Sequence, residues 1–401
     1  VKILLLNIRA SQGGAGRVAL DLHKRLRGAG VDSRLLYGYG SGVTNDPAVA
    51  GDPNIQRLAT KATVMTNYIS HTLLGYDMVT SSPALLESAI QAADIVHVHA
   101  PHHYYLNWSH LVDLVVRHRK PIVLTAHDWW FITGRCGLLA GCTGWERGCG
   151  ECGQLRFNDL KTVFDISRLR RKQKLAAIAR LPAPRFLCPA EHLAGNYRSV
   201  LPNTSIQVVP NSIDAEFEAA LEEETLNRDT VAARRGFLFS AADLNSVVKV
   251  DHALVEKLAN RPEIPLILAG RNNPFHYSNV EELGEVRARQ EMVKILLRAR
   301  ALVFCSTSDN APLTVIEALT AGCHVLAYNS PATDEILAKV GGRTLPDRQA
   351  MADVIANDKI EELYGGMDSI ELSRRALAIF SGKTMADTHI QLYREMLPTA
   401  S

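Results

Sequence analysis

The stretch ALVFCSTSDNAPLTVIEALTAGCHVLA, Ala301–Ala327, reads as a strand, a loop, an apolar helix and a second strand. A strand that returns through a helix places its successor parallel to itself, so this one unit predicts an α/β fold. The loop carries the chemistry. Asp309 and Glu317 stand on either side of Asn310, Ala311, Pro312 and Leu313, where the helix begins. The first N–H groups of a helix have no intrahelical partner and favour an anion, so this turn suits a phosphate. An acid on each side suits the hydroxyls of a sugar or a ribose. The same residues also read as an ordinary αβ turn, with Asp309 as a cap and Glu317 on a solvated helix face.

Working outward, short apolar runs alternate with amphipathic stretches along most of the chain. Strands are expected at 2–7, 33–37, 95–99, 122–126, 185–188 and 207–209, and again at 236–240, 264–269, 301–305, 324–328 and 343–344. Two series of this kind predict two doubly wound, Rossmann-like domains, with ligands at the carboxyl ends of the strands in a cleft that the domains face. The Pro-Asn turn in VVPNSIDAEFEA, Val208–Ala220, marks the expected linker. Residues 1–208 then form the first domain and 209–384 the second. Residues 385–401 form a closing helix and tail, with Met385, Ile390, Leu392, Tyr393 and Met396 at helical spacing.

Composition narrows the function. With 44 Lys and Arg against 42 Asp and Glu, the net charge of +2 gives no case for nucleic acid. A hydrophobic share of 47% without a membrane-length apolar run points to a globular, cytoplasmic protein. Seven cysteines, an odd number, argue against a disulfide framework. Cys188, Cys305 and Cys323 read as small core residues. Cys136, Cys142, Cys149 and Cys152 crowd the Gly-rich loop 134–153, and the final C-x2-C pair suits a structural zinc. Free thiols or a disulfide pair are the other readings. Four sulfur ligands would leave no open position for catalysis, so no catalytic metal is expected there.

Four further segments carry candidates. In SQGGAGRVALDLHKRL, Ser11–Leu26, Gly14 and Gly16 precede an amphipathic helix and let the backbone approach a phosphate. The full dinucleotide fingerprint is missing because position 19 is Ala. In IVLTAHDWWF, Ile122–Phe131, a strand ends at His127 and Asp128, where an imidazole can donate to a substrate hydroxyl. DIVHVHAPHHYYLNW, Asp94–Trp108, ends another strand with His97, His99, His102 and His103, read as a polar wall of the cleft. The run 166–180, with Arg168, Arg170, Arg171, Lys172, Lys174 and Arg180, fits either an anionic membrane surface or a solvated helix face.

In this order, the segments GGAGR, LTAHD, CPAEHLAGNYR, VVPNSID, DNAPLTVIEALTAG and LYREML resemble the retaining GT-B glycosyltransferases of family 4, over nearly the whole chain. The cysteine loop and VHVHAPHHYYLNW look most like the branch acting in colanic acid and related exopolysaccharide pathways. The resemblance implies transfer from a nucleotide diphosphate sugar to a lipid-linked or oligosaccharide acceptor, at the inner face of the cell membrane, without a catalytic metal. By position, His127 and Asp309 would contact the donor sugar and Glu317 the ribose. Asn310 to Leu313 would lie on the phosphates, Gly14 and Gly16 near the pyrophosphate and acceptor, and His99, His102 and Asp128 on the acceptor side, which makes 1–208 the acceptor-side domain and 209–384 the nucleotide-sugar domain. Asp309 replaces the family's Glu, and Ala241 and Ala242 stand where its Arg is expected. Lys249 and Arg271 are the cations left for the diphosphate. A nucleotide-sugar epimerase of the same fold and a catalytically silent nucleotide-sugar-binding subunit are the alternative readings.

Overall fold

A computed structural model describes residues 1–156, 160–226 and 234–397. The chain divides into two compact units, Val1–Val209 with Met385–Ser401, and Pro210–Thr384. In the first, strands β1 (Lys2–Asn7), β2 (Asp32–Tyr37), β3 (Ile55–Arg57), β4 (Ile95–Val98), β5 (Ile122–Thr125), β6 (Arg185–Cys188) and β7 (Ser205–Val208) form a sheet in the order 3-2-1-4-5-6-7. Every pairing is parallel. The second unit has β8 (Phe237–Asp243), β9 (Leu266–Arg271), β10 (Val280–Gly284), β11 (Ala301–Phe304) and β12 (His324–Ala327) in the order 10-9-8-11-12, also all parallel.

Helices cover both faces of such sheets, so their central strands are apolar throughout rather than alternating. That is why all four residues of β4, β5, β11 and β12 are buried. The strand order reverses between β1 and β4 in one unit and between β8 and β11 in the other, and such switch points open the crevice that takes a ligand. The Gly-rich turn after β1 and the histidines after β4 therefore flank one crevice. The turn carrying Lys249 and the loop carrying Asp309 flank the other.

The expected strand at 343–344 does not form: only an isolated bridge joins Tyr328 to Leu345. Conversely, β3 and β10 lay outside the sequence expectations. Both are edge strands, and β10 reads VEELG with no buried residue, so no apolar run announces it. The linker segment turns helical at Ala215. The closing helix spans Gly382–Met396, and it buries Met385, Leu392 and Tyr393 in one cluster with Ile3, Leu5 and Ile95. Pro398 and the tail lie outside the described residues.

Candidate active site

In the second unit the signature loop leads into the helix Leu313–Thr320, whose N-cap is Pro312 and which has neither a side-chain cap nor an acid in its first turn. An uncapped N-terminus at a sheet switch point is a ready anion site. Asn211, from the VVPNSID segment, ties the loop down by donating to the Ala311 carbonyl at 3.1 Å. Across the switch point, Lys249 Nζ donates to both Asp309 oxygens, at 2.7 and 2.8 Å. The structure thus brings together the two residues that the sequence could only nominate separately. Arg271 behaves differently: its Nε donates to the Ala242 carbonyl at 3.2 Å and lies 3.8 Å from Glu285. Gly270, just before it, is required by a close approach, since a Cβ there would lie 2.1 Å from the Ala241 carbonyl oxygen.

Glu317 is 3% exposed, which replaces the solvated-face alternative with a buried carboxylate. Arg289 stands 3.6 Å from it and 3.0 Å from Asp214, at the start of the helix Arg289–Arg298. Sequence reasoning missed Arg289 because it is one basic residue among several in a polar stretch. No local pattern marks it as the partner of an acid 28 residues downstream.

In the first unit, β1 runs into the helix Gly13–Gly28, again without a side-chain cap or a first-turn acid. Gly13 takes a positive φ of 73°, and nothing lies within 4 Å of a Cβ built on Gly14, so the turn has an open face. Gly16 is tighter, with the Ser11 backbone 3.3 Å from such a Cβ.

The histidines form a column. His97 is fully buried between the Tyr393 hydroxyl and Thr125 Oγ1, each at 2.6 Å, and its ring stacks on His99 at 4.3 Å. His99 Nδ1 lies 2.9 Å from His127 Nε2. Burial holds His97 and His99 well below the ordinary imidazole range and pushes His127 down to about 4. His127 is therefore a neutral hydrogen-bonding group at physiological pH, not a cation. Burial opposes ionisation of Asp128, yet the charge and hydrogen bond of His102, with the Trp130 N–H, bring its pKa down to about 2. His102 Nε2 meets Asp128 Oδ2 at 3.0 Å and Trp130 N–H donates to Oδ1 at 2.8 Å. His99 thus meets His127, and His102 meets Asp128, beyond the ends of β4 and β5.

The four cysteines of the loop are free thiols. Gly148, Cys149, Gly150 and Glu151 all take positive φ, which coils the loop tightly. Cys149 Sγ accepts the Gly134 N–H at 3.2 Å, and burial pushes the Cys136 thiol up to about 11. Among the described residues no three His, Cys, Asp or Glu side chains are gathered as a metal ion requires. Cys188, Cys305 and Cys323 are buried, as small core residues should be. Among the described residues no helix is long and apolar enough to cross a membrane.

Each unit thus pairs a parallel α/β sheet with an uncapped helix N-terminus at its switch point, and comparison with known proteins gives the family. The sequence profile of Glycosyltransferase Family 4 matches residues 12–217, and that of Glycosyl transferases group 1 matches residues 236–363. The chain belongs to glycosyltransferase family 4, with the GT-B fold. Among relatives, the putative colanic acid biosynthesis glycosyl transferase WcaC of Escherichia coli strain K12 is 30% identical over 406 residues, covering 99% of this chain and 100% of that protein. Anabaena Alr3699/HepE, solved in complex with UDP, superposes with a TM-score of 0.64 at 13% identity over 98% of this chain and 100% of its own. Sucrose-phosphate synthase of Thermosynechococcus elongatus gives 0.61 at 15% identity over 99% of both chains.

Proposed function

We propose that the protein moves a sugar from a nucleotide diphosphate sugar to a lipid-linked or oligosaccharide acceptor with retention, in the assembly of a bacterial exopolysaccharide, capsule or lipopolysaccharide. The site of action is the cytoplasm, at the inner face of the cell membrane. The observation that carries this reading is Lys249 seated on Asp309 beside the uncapped N-terminus of the Leu313–Thr320 helix. There a cation, a sugar-binding acid and free N–H groups converge where a diphosphate leaves.

In this reading Glu317, oriented by Arg289, takes the ribose hydroxyls, and Asp309 holds donor-sugar hydroxyls with Lys249 turned to the phosphates. Neutral His127 donates to the sugar near the reacting carbon. The bond from that carbon to the phosphate oxygen breaks as the acceptor oxygen adds on the same face, and the acceptor proton passes to the departing phosphate. Lys249 and the helix terminus supply the charge stabilisation, so the step calls for no catalytic metal. The test is a thermal-shift panel of UDP-, GDP- and dTDP-sugars, followed by a transfer assay with the best donor. Binding without turnover under any acceptor would favour the silent subunit, and product without acceptor the epimerase.

The same reading keeps the four-cysteine loop as a structural zinc site. Its support is the C-x2-C spacing of Cys149 and Cys152 in the Gly-rich loop. Purified protein is expected to carry about one equivalent of zinc. Less than about a tenth of an equivalent sinks the idea.

A further inference from the structure

The first unit contains a cavity whose lining includes His71, Tyr76, Trp108, Trp130, Arg170 and Lys174. Two of these come from the basic helix, Ser167–Ala179. Lys174 is 6% exposed, its ammonium lies 3.6 Å from the Trp130 ring centroid, and it donates to the carbonyls of Trp130 and Thr133. Arg170 stacks on Tyr76 at 4.0 Å and donates to the Leu74 carbonyl and to Gln173. Neither cation is paired with a carboxylate among the described residues. Burial pushes the Lys174 ammonium down to about 7 against the field of Asp128, and an anion in the cavity would favour its charged form.

The polar groups around these cations support the same ligand. Asp77, the one carboxylate among the described lining residues, is already engaged by His71 Nδ1 at 3.1 Å and by the Tyr104 N–H at 2.8 Å. Trp108 Nε1 and His71 Nε2 are buried with no hydrogen-bond partner among the described residues, on side chains 8% and 5% exposed. Trp108 Nε1–H can only donate, which suits an oxyanion.

Beside the cavity lies an apolar surface. Tyr68, Ile69, Leu73 and Leu74 of the helix Lys61–Leu74, with Phe164 and Leu169, are each between 41% and 61% exposed. They adjoin because the Val163 N–H donates to the Thr72 carbonyl and Arg170 reaches the Leu74 carbonyl. Contiguous apolar exposure on this scale marks an interaction site, and basic side chains at its border select an anionic lipid.

We propose that this cavity binds the phosphate group of a lipid-borne acceptor, with Lys174 and Arg170 as counter-charges and Trp108 Nε1–H as donor, while the adjoining apolar surface takes the hydrocarbon chain. The assignment deepens the transferase reading and rests on it for the acceptor role, but binding is measurable without turnover. The probes are dodecyl phosphate below its micelle concentration, inorganic phosphate and dodecyl maltoside, titrated calorimetrically against the full chain.

Dodecyl phosphate is expected to bind at least about tenfold more tightly than inorganic phosphate, with no saturable binding of the maltoside. Trp108→Phe, which removes the indole N–H together with part of the ring, and Lys174→Met are each expected to weaken dodecyl phosphate by about 10- to 100-fold. Leu73→Asp should weaken dodecyl phosphate and leave inorganic phosphate unchanged. Equal binding of maltoside, or wild-type affinity in both cavity variants with unaltered melting curves, overturns the site. Equal affinity for inorganic phosphate overturns its lipid assignment. UDP binding on the same samples reports the donor reading separately, so a chain that binds dodecyl phosphate but no nucleotide loses that reading and keeps this one.

Discussion

Lys249→Met is expected to lower turnover by about 100- to 1000-fold while moving the melting temperature by no more than a few degrees. The two effects separate for a physical reason. Lys249 and Asp309 form a half-exposed pair, with side chains 41% and 29% exposed, and such pairs contribute about 0–1 kcal/mol to stability. In the proposed reaction the same ammonium faces the charge that develops on a departing diphosphate, where a positioned cation counts for far more. Asp309→Asn is the partner experiment. It keeps the shape, removes the charge that holds the ammonium, and is expected to raise the donor KM as well as lower kcat. Arg271→Ala provides the comparison, because its guanidinium is engaged with the Ala242 carbonyl and lies near Glu285. If Lys249→Met turns over like wild type while Arg271→Ala does not, the clamp lies with Arg271.

Between pH 7 and pH 5 the N-terminal unit is expected to lose about 4 kcal/mol of stability or more. Burial pushes both His23 and His389 down to about 4 from an ordinary value of 6.5, and the two are fully enclosed. The unfolded chain therefore takes up protons that the folded chain refuses as pH falls below 6.5, and the favourable difference is lost progressively down to about 4. At pH 5 this amounts to about 2 kcal/mol for each. His97 and His99, also held well below the ordinary range, act in the same direction. Asp128 does not contribute in this window, since its depressed pKa matters only below its ordinary value of 3.8. All four tryptophans, Trp108, Trp129, Trp130 and Trp145, lie in this unit, so urea unfolding followed by tryptophan fluorescence reads it directly. Equal unfolding free energies at pH 7 and pH 5 would show that these imidazoles are protonated within the fold.

Much of the candidate site was legible because its parts are local. Asp309, the loop and Glu317 lie within one strand-to-helix turn, and the helix start is announced by Pro312. His127 and Asp128 end a strand whose apolar run is plain. By contrast, Glu317 reads as either a solvated or a buried residue from spacing alone. Its burial depends on how the Leu313–Thr320 helix packs, and its partner Arg289 arrives from a different helix. The basic run 166–180 illustrates the same limit. Its composition suggests a charged surface, whereas Lys174 points inward to Trp130 and is buried.

The alternation of apolar runs with amphipathic stretches determined the parallel α/β architecture by itself, because strand and helix periodicities are written in neighbouring residues. It determined the order of the strand ends as well, and with them the residues that reach the crevices. Only the tertiary structure decided which of those residues meet. Lys249 and Asp309 are 60 positions apart and become partners because β8 and β11 are neighbours at a switch point, and Trp108 and Lys174 share one cavity because two helices pack side by side. Such pairings follow from sheet order and packing across long stretches of chain, which no local spacing encodes.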